Sequence, residues 1–191
     1  GVVEEIGKLI AVVLMMRKGD KLYLLNGCLF GAAVGAGFAA FESAGYAFNA
    51  FLGALPDKSG AGILYASGAM VTSITLRGIL APFGHVAWTG ITAGALWRSR
   101  AQRKSMVDAM TDGKFVRAFC LVMLLHGLWN FSAGFGLVLG LPFMVLVGVT
   151  SWYLVFGLVQ QGLRQVRAAQ TLTKTGLIRA FDPGAAAGLA Q

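Results

Sequence analysis

The sequence predicts an all-α fold, a polytopic bundle of transmembrane helices. Three observations predict it. Long apolar segments recur through the 191 residues, 57% of which are hydrophobic, and the mean hydropathy is +0.70. Charged residues make up 13% of the chain, where an ordinary soluble domain has about 25%. The basic residues behind the net charge of +8 cluster at 17–21, 98–104, 114–117 and 164–179, each beside an apolar segment. That is the positive-inside distribution of cytoplasmic loops. It argues for the lipid bilayer as partner and against nucleic acid. Cys28 and Cys120 both lie inside apolar segments, so no disulfide framework is implied.

The elements follow in chain order. Glu4, Glu5 and Lys8 open an apolar run that ends at Met16. This segment would span ~24 Å at 1.5 Å per residue, short for a hydrocarbon core of about 30 Å. The expectation is therefore an N-terminally truncated chain whose upstream membrane helices are missing. Residues 17–21 read as a cytoplasmic basic turn. The apolar stretch 22–54 is too long for one ordinary span, so a break is expected after Glu42. Gly27, Gly31 and Gly35 fall at the four-residue spacing that lets helix backbones approach closely in lipid. Residues 56–60 read as a polar turn on the far side. Residues 61–80 are only weakly apolar and are expected to lie in the interface or dip partway in. Pro82 restarts the chain, 85–97 forms a span, and 98–113 is a basic loop. Residues 114–131 form the next span, 134–140 a Gly-rich turn, and 141–159 the last span. With every basic loop inside, Lys58 and Arg77 are the only basic residues outside, and the C-terminus is cytoplasmic. Residues 1–160 make the helical domain, and 161–191 a basic, largely disordered cytoplasmic tail.

The chemistry lies in the ionisable residues within the spans. All three glutamates, Glu4, Glu5 and Glu42, and both histidines, His85 and His126, fall inside apolar segments. A charge at the centre of a membrane helix costs roughly 2.5–3.5 kcal/mol on insertion scales, and such residues mark functional sites by default. On a helix, Glu4 and Lys8 share a face. Counted from the cytoplasmic helix ends, Glu4, His85 and His126 each lie ~18 Å deep and Glu42 ~22 Å. Four helices thus bring polar groups to one level. His126 and Asn130 are four apart and point the same way.

Such a set can activate water. A buried glutamate is a usable base near neutral pH, and His and Asn side chains can donate to an oxyanion. The same His and Glu residues can instead bind zinc with three protein ligands and an open water position. Both schemes lead to hydrolysis. A proton-coupled transporter or channel using the same Glu/His/Lys cluster is the alternative, although no inverted repeat is visible. The His-Glu-x-x-His motif of zincins is absent. No Asp lies in any span to form a dyad, and Ser67-Gly68 lacks the preceding Gly of a rhomboid-like motif.

Taken in order, Glu4-Glu5-x-x-Lys8, Phe38-x-x-x-Glu42, His85-x-x-Trp88-Thr89-Gly90 and His126-x-x-Trp129-Asn130 resemble the PrsW family of intramembrane proteases. That family is similar to the CAAX-prenyl-protease and Abi group, whose pattern is Glu-Glu-x-x-x-Arg, Phe-x-x-x-His and His-x-x-x-Asn. The resemblance covers roughly residues 1–160. It implies a multi-pass hydrolase of the bacterial plasma membrane that cuts a peptide bond in or near the transmembrane segment of a membrane-protein substrate. By analogy alone, that substrate would be anti-sigma-factor-like. The resemblance also implies Glu4 as general base, Glu5 with Lys8 as its orienting pair, Glu42 and His85 completing the water or metal site, and His126 and Asn130 binding the oxyanion. No cofactor is certain. If zinc is present, Glu42, His85 and His126 are its expected ligands. Two departures bear on this. Glu42 stands where the wider group has His, and Lys8 replaces Arg one residue closer.

Overall fold

The computed structural model describes residues 1–16, 23–55, 62–103 and 105–174. Among these residues there is no strand. The helices are α1 (Val2–Met16), α2 (Leu24–Ala54), α3 (Gly62–Leu80), α4 (His85–Ala101), α5 (Met106–Met110), α6 (Gly113–Ala133) and α7 (Gly136–Lys174), with a 3-10 turn, Ala81–Phe83, between α3 and α4. Four stretches are long and apolar enough to cross a membrane: α2, α3 through α4, α6, and most of α7. The fold is an all-α polytopic bundle.

α2 and α4 form its spine. Gly27, Gly31 and Gly35 all lie on the buried face of α2. A methyl group on Gly31 would collide with the Thr89 carbonyl oxygen, and one on Gly35 with the His85 carbonyl oxygen. The two backbones therefore touch directly, as small residues permit in lipid. Further along, α3 packs on the second half of α2. α3, the turn and α4 thus run antiparallel along α2 as one helix broken at Ala81–Phe83. Pro82 sits at the start of that turn, where its missing N–H costs nothing. The break puts His85 at the first residue of α4, opposite Gly35.

The structure corrects three expectations. α2 continues past Glu42 without a break, because no proline falls between Leu24 and Ala54. At 31 residues it is ~46 Å long, which a bilayer accommodates by tilt. Residues 62–80, expected in the interface or dipping partway in, form a full helix packed on α2, part of a stretch long and apolar enough to cross a membrane. The tail expected at 161–191 begins as ordered helix, since α7 runs on to Lys174. The reason is a polar stripe: Gln165 is buried and its Oε1 accepts the Leu24 N–H at 3.0 Å. That bond satisfies an amide at the start of α2, where Tyr23 offers no side-chain cap. Gln161 accepts from Arg98 at 3.1 Å. The turns expected at 17–21 and 56–60 fall wholly outside the described residues, as does 175–191.

The loop after α4 is also more ordered than a plain basic connection. Ser105 caps α5 by accepting from the Asp108 N–H, and Asp112 caps α6 by accepting from the Lys114 N–H. Arg103 donates to Asp112 Oδ2 from Nε at 3.0 Å and from Nη2 at 2.5 Å. The Arg103 guanidinium holds the Asp112 carboxyl below the usual carboxylate range.

Candidate active site

α1 presents an inward stripe of Glu5, Lys8, Leu9, Val12 and Met16, spaced as one helical face. The three apolar members pack on Ala93, Leu96, Trp97 and Phe115. That packing fixes the helix rotation and drives Glu5 and Lys8 into the bundle, where their side chains are each 1% exposed. They form an ion pair with each other. Lys8 thus pairs with Glu5 three residues away, not with Glu4 four away as the shared-face reading expects.

Both histidines close onto this pair. His126 Nδ1 lies 2.7 Å from Glu5 Oε1, and His85 Nδ1 lies 3.0 Å from Lys8 Nζ. His85 Nε2 is 2.7 Å from Glu42 Oε2. An ammonium can only donate, so His85 Nδ1 accepts and its Nε2–H donates to Glu42. The Glu5 carboxylate likewise takes the Nδ1–H of His126 and leaves Nε2 with its lone pair. That nitrogen faces Glu4 Oε2 at 3.4 Å. Glu4 Oε2 is buried and has no hydrogen-bond partner. The aromatic walls complete the site. Trp88 stacks on His126 with centroids 4.6 Å apart, and Phe38 lies under Lys8 at 4.7 Å and beside His85 at 5.2 Å.

The structure therefore brings Glu4, Glu5, Lys8, Glu42, His85 and His126 into one connected cluster. Asn130 stands apart, one turn beyond His126 and exposed. It lines a cavity of about 410 Å³ together with Ser43, Tyr46, Arg77, His85 and Trp88. Two residues escaped sequence reasoning. Arg77, expected only as a cation of the far side, bonds Glu42 Oε2 from Nη2 at 2.5 Å. Its isolation among the basic residues of the far side was the available signal. Ser151 accepts the Trp88 indole N–H at 2.9 Å, and nothing in the sequence sets that serine apart.

A buried cluster of carboxylates, imidazoles and an amine beside an open cavity, inside an apolar helix bundle, is an arrangement that suits a membrane-embedded hydrolase. A family model described as PrsW family intramembrane metalloprotease matches residues 1–159, and the chain belongs to that family. It is an integral membrane peptidase, and its substrate is a membrane protein. Neither a curated protein nor a solved structure matches it.

The family's description implies a metal, and the donor set fits one. Glu4, His85 and His126 each offer a ligand atom, all within 4.8 Å of one another. Two His and one Glu with an open position suit catalytic zinc, provided that Lys8 gives up His85 Nδ1, whose lone pair it holds here. The partnerless Glu4 Oε2 supplies an unclaimed donor. Glu5 behind His126 is the carboxylate that typically orients a zinc-binding imidazole. Glu42, expected among the ligands, is paired with Arg77 and His85 and does not belong to this three-residue group.

Proposed function

We propose that this chain hydrolyses a peptide bond of a single-pass membrane protein with water activated between Glu4 and His126, the cavity beside His85 receiving the substrate segment. The observation that carries this reading is the buried, partnerless Glu4 Oε2 facing His126 Nε2.

In this reading water occupies the space in front of Glu4, attacks the scissile carbonyl carbon, and gives its proton to the Glu4 carboxylate. Glu4 then passes that proton to the leaving amine as the C–N bond breaks, so that the carboxylate is regenerated. His85 and Asn130 border the cavity where the oxyanion develops, and Asn130 is its candidate amide donor. Glu5 and Lys8 hold His126 in one tautomer. If zinc is held by Glu4, His85 and His126, it would itself acidify the bound water and polarise the carbonyl, in place of Glu4 acting as a free base. The basic loops at 98–103 and 114–117 put the C-terminus in the cytoplasm by the positive-inside rule.

The test is cleavage of a labelled single-pass substrate by the purified protein in detergent. Glu4→Gln is expected to lower turnover by about 10²–10⁴-fold, the usual contribution of a positioned acid–base group, with the fold intact. Normal cleavage by Glu4→Gln would sink the assignment.

A further inference from the structure

We infer that Arg77 is a positioning residue for His85, acting through Glu42. This rests on the peptidase reading for its consequence on turnover, but the structural link stands independently of it.

Glu42 Oε2 is a single atom with two partners. Arg77 Nη2 reaches it at 2.5 Å from α3, and His85 Nε2 reaches it at 2.7 Å from α4. Arg77 is itself seated on α2. Its Nε donates to Ser43 Oγ at 3.3 Å, and its guanidinium lies 3.9 Å over the Tyr46 ring. Glu42, Ser43 and Tyr46 occupy one turn of α2, so the helix presents an acceptor, a hydroxyl and an aromatic face to a single planar cation. Arginine suits such a seat because its rigid fork both bonds and stacks. The guanidinium therefore holds Glu42 Oε2 at a fixed place, and that oxygen fixes the His85 ring. His85 is the first residue of α4, one residue (Gly84) after the break at Ala81–Phe83, so its orientation lacks the support of a preceding turn of α4. The chain Arg77–Glu42–His85–Lys8–Glu5–His126 then runs unbroken from the cavity wall to the water site.

An ordinary helix-to-helix ion pair would also join α2 to α3, and the two roles separate experimentally. The chain has two histidines, so a protein labelled with ring-¹⁵N histidine gives a spectrum simple enough to assign in detergent. Arg77→Gln is expected to move the His85 ring signals while leaving those of His126 in place. Arg77→Lys, which restores the charge but not the stack, is expected to move them less. On a cleaved substrate, Arg77→Gln lowers kcat by about 10- to 100-fold, as outer partners of site histidines do. In a Glu42→Gln background Arg77→Gln has no further effect. The inference is overturned if the His85 signals stay put in Arg77→Gln, if the two substitutions multiply, or if thermal stability falls in proportion to activity. A wild-type protein that cleaves nothing would overturn the peptidase reading, and the ring signals would still decide the role of Arg77.

Discussion

Glu5 Oε1 accepts from His126 Nδ1 at 2.7 Å, and the same oxygen pairs with the Lys8 ammonium. One carboxylate oxygen thus carries the link between α1 and α6 and neutralises the only lysine inside the described bundle interior. Removing one member of a buried pair strands the other charge, at about 3–5 kcal/mol, whereas replacing both by apolar residues is often neutral. Glu5→Leu alone is therefore expected to destabilise by that amount in chemical unfolding in detergent. Glu5→Leu with Lys8→Met should recover most of the stability and remain inactive, because His126 has lost its orienting acceptor. A single variant costing under about 1 kcal/mol, the worth of an exposed pair, would mean that water reaches Lys8.

The glycine seam between α2 and α4 makes a paired prediction. Gly35 faces the His85 carbonyl, whereas the space around Gly37 is open. Gly35→Val must push the helices apart, and overpacking of this kind costs about 1–3 kcal/mol. It also shifts His85, so activity falls further than stability. Gly37→Ala fills empty space and gains up to about 1 kcal/mol of helix propensity. Thermal unfolding of the two variants side by side checks both signs. Equal effects would mean that the helices are not in backbone contact at Gly35.

The level of the site was legible in the sequence because charge inside a membrane is expensive. Glu4, Glu42, His85 and His126 could be assigned to one depth by counting residues, and the structure joins them. The rotation of each helix was not legible. Whether Glu4 or Glu5 meets Lys8 depends on how Leu9, Val12 and Met16 seat against α4 and α6, and that is a property of partners distant in sequence. The same holds for Arg77. Read alone it is a lone cation on the far side, and its meaning appears only once α3 lies antiparallel on α2 and Glu42 comes opposite. The continuation of α7 beyond residue 160 escaped for a related reason. Gln165 reads as polar and solvent-bound until Leu24 offers an unpaired amide 141 positions away.

Acidification tests the loop below the site. Asp112 is hydrogen-bonded by Arg103, which lowers its carboxyl pKa from an unfolded value of 3.8. A lowered folded-state value means that the unfolded chain binds the proton more readily. The stabilisation is thus complete above the unfolded pKa and is lost as pH falls through the folded one. The melting temperature of wild type is expected to exceed that of Asp112→Asn near pH 6, and the gap to narrow below pH of about 3.8. A gap that is constant down to pH 2 would assign the difference to the α6 cap alone, which an asparagine preserves in part.

Zinc content separates the two carboxylates that contend for the metal. Glu4 offers an unclaimed buried oxygen within reach of both histidines, while Glu42 Oε2 is already shared between Arg77 and His85. Purified wild-type protein is expected to bind one zinc per chain by elemental analysis after dialysis. Glu4→Gln and His126→Gln should each lose it, because a three-ligand site has none to spare. Glu42→Gln should keep a full equivalent at saturating zinc but bind about 10- to 100-fold more weakly, as expected for a group that orients a ligand instead of being one. The opposite pattern, with zinc lost in Glu42→Gln and retained in Glu4→Gln, would return the metal to Glu42, His85 and His126 and leave Glu4 free to act on water as a base.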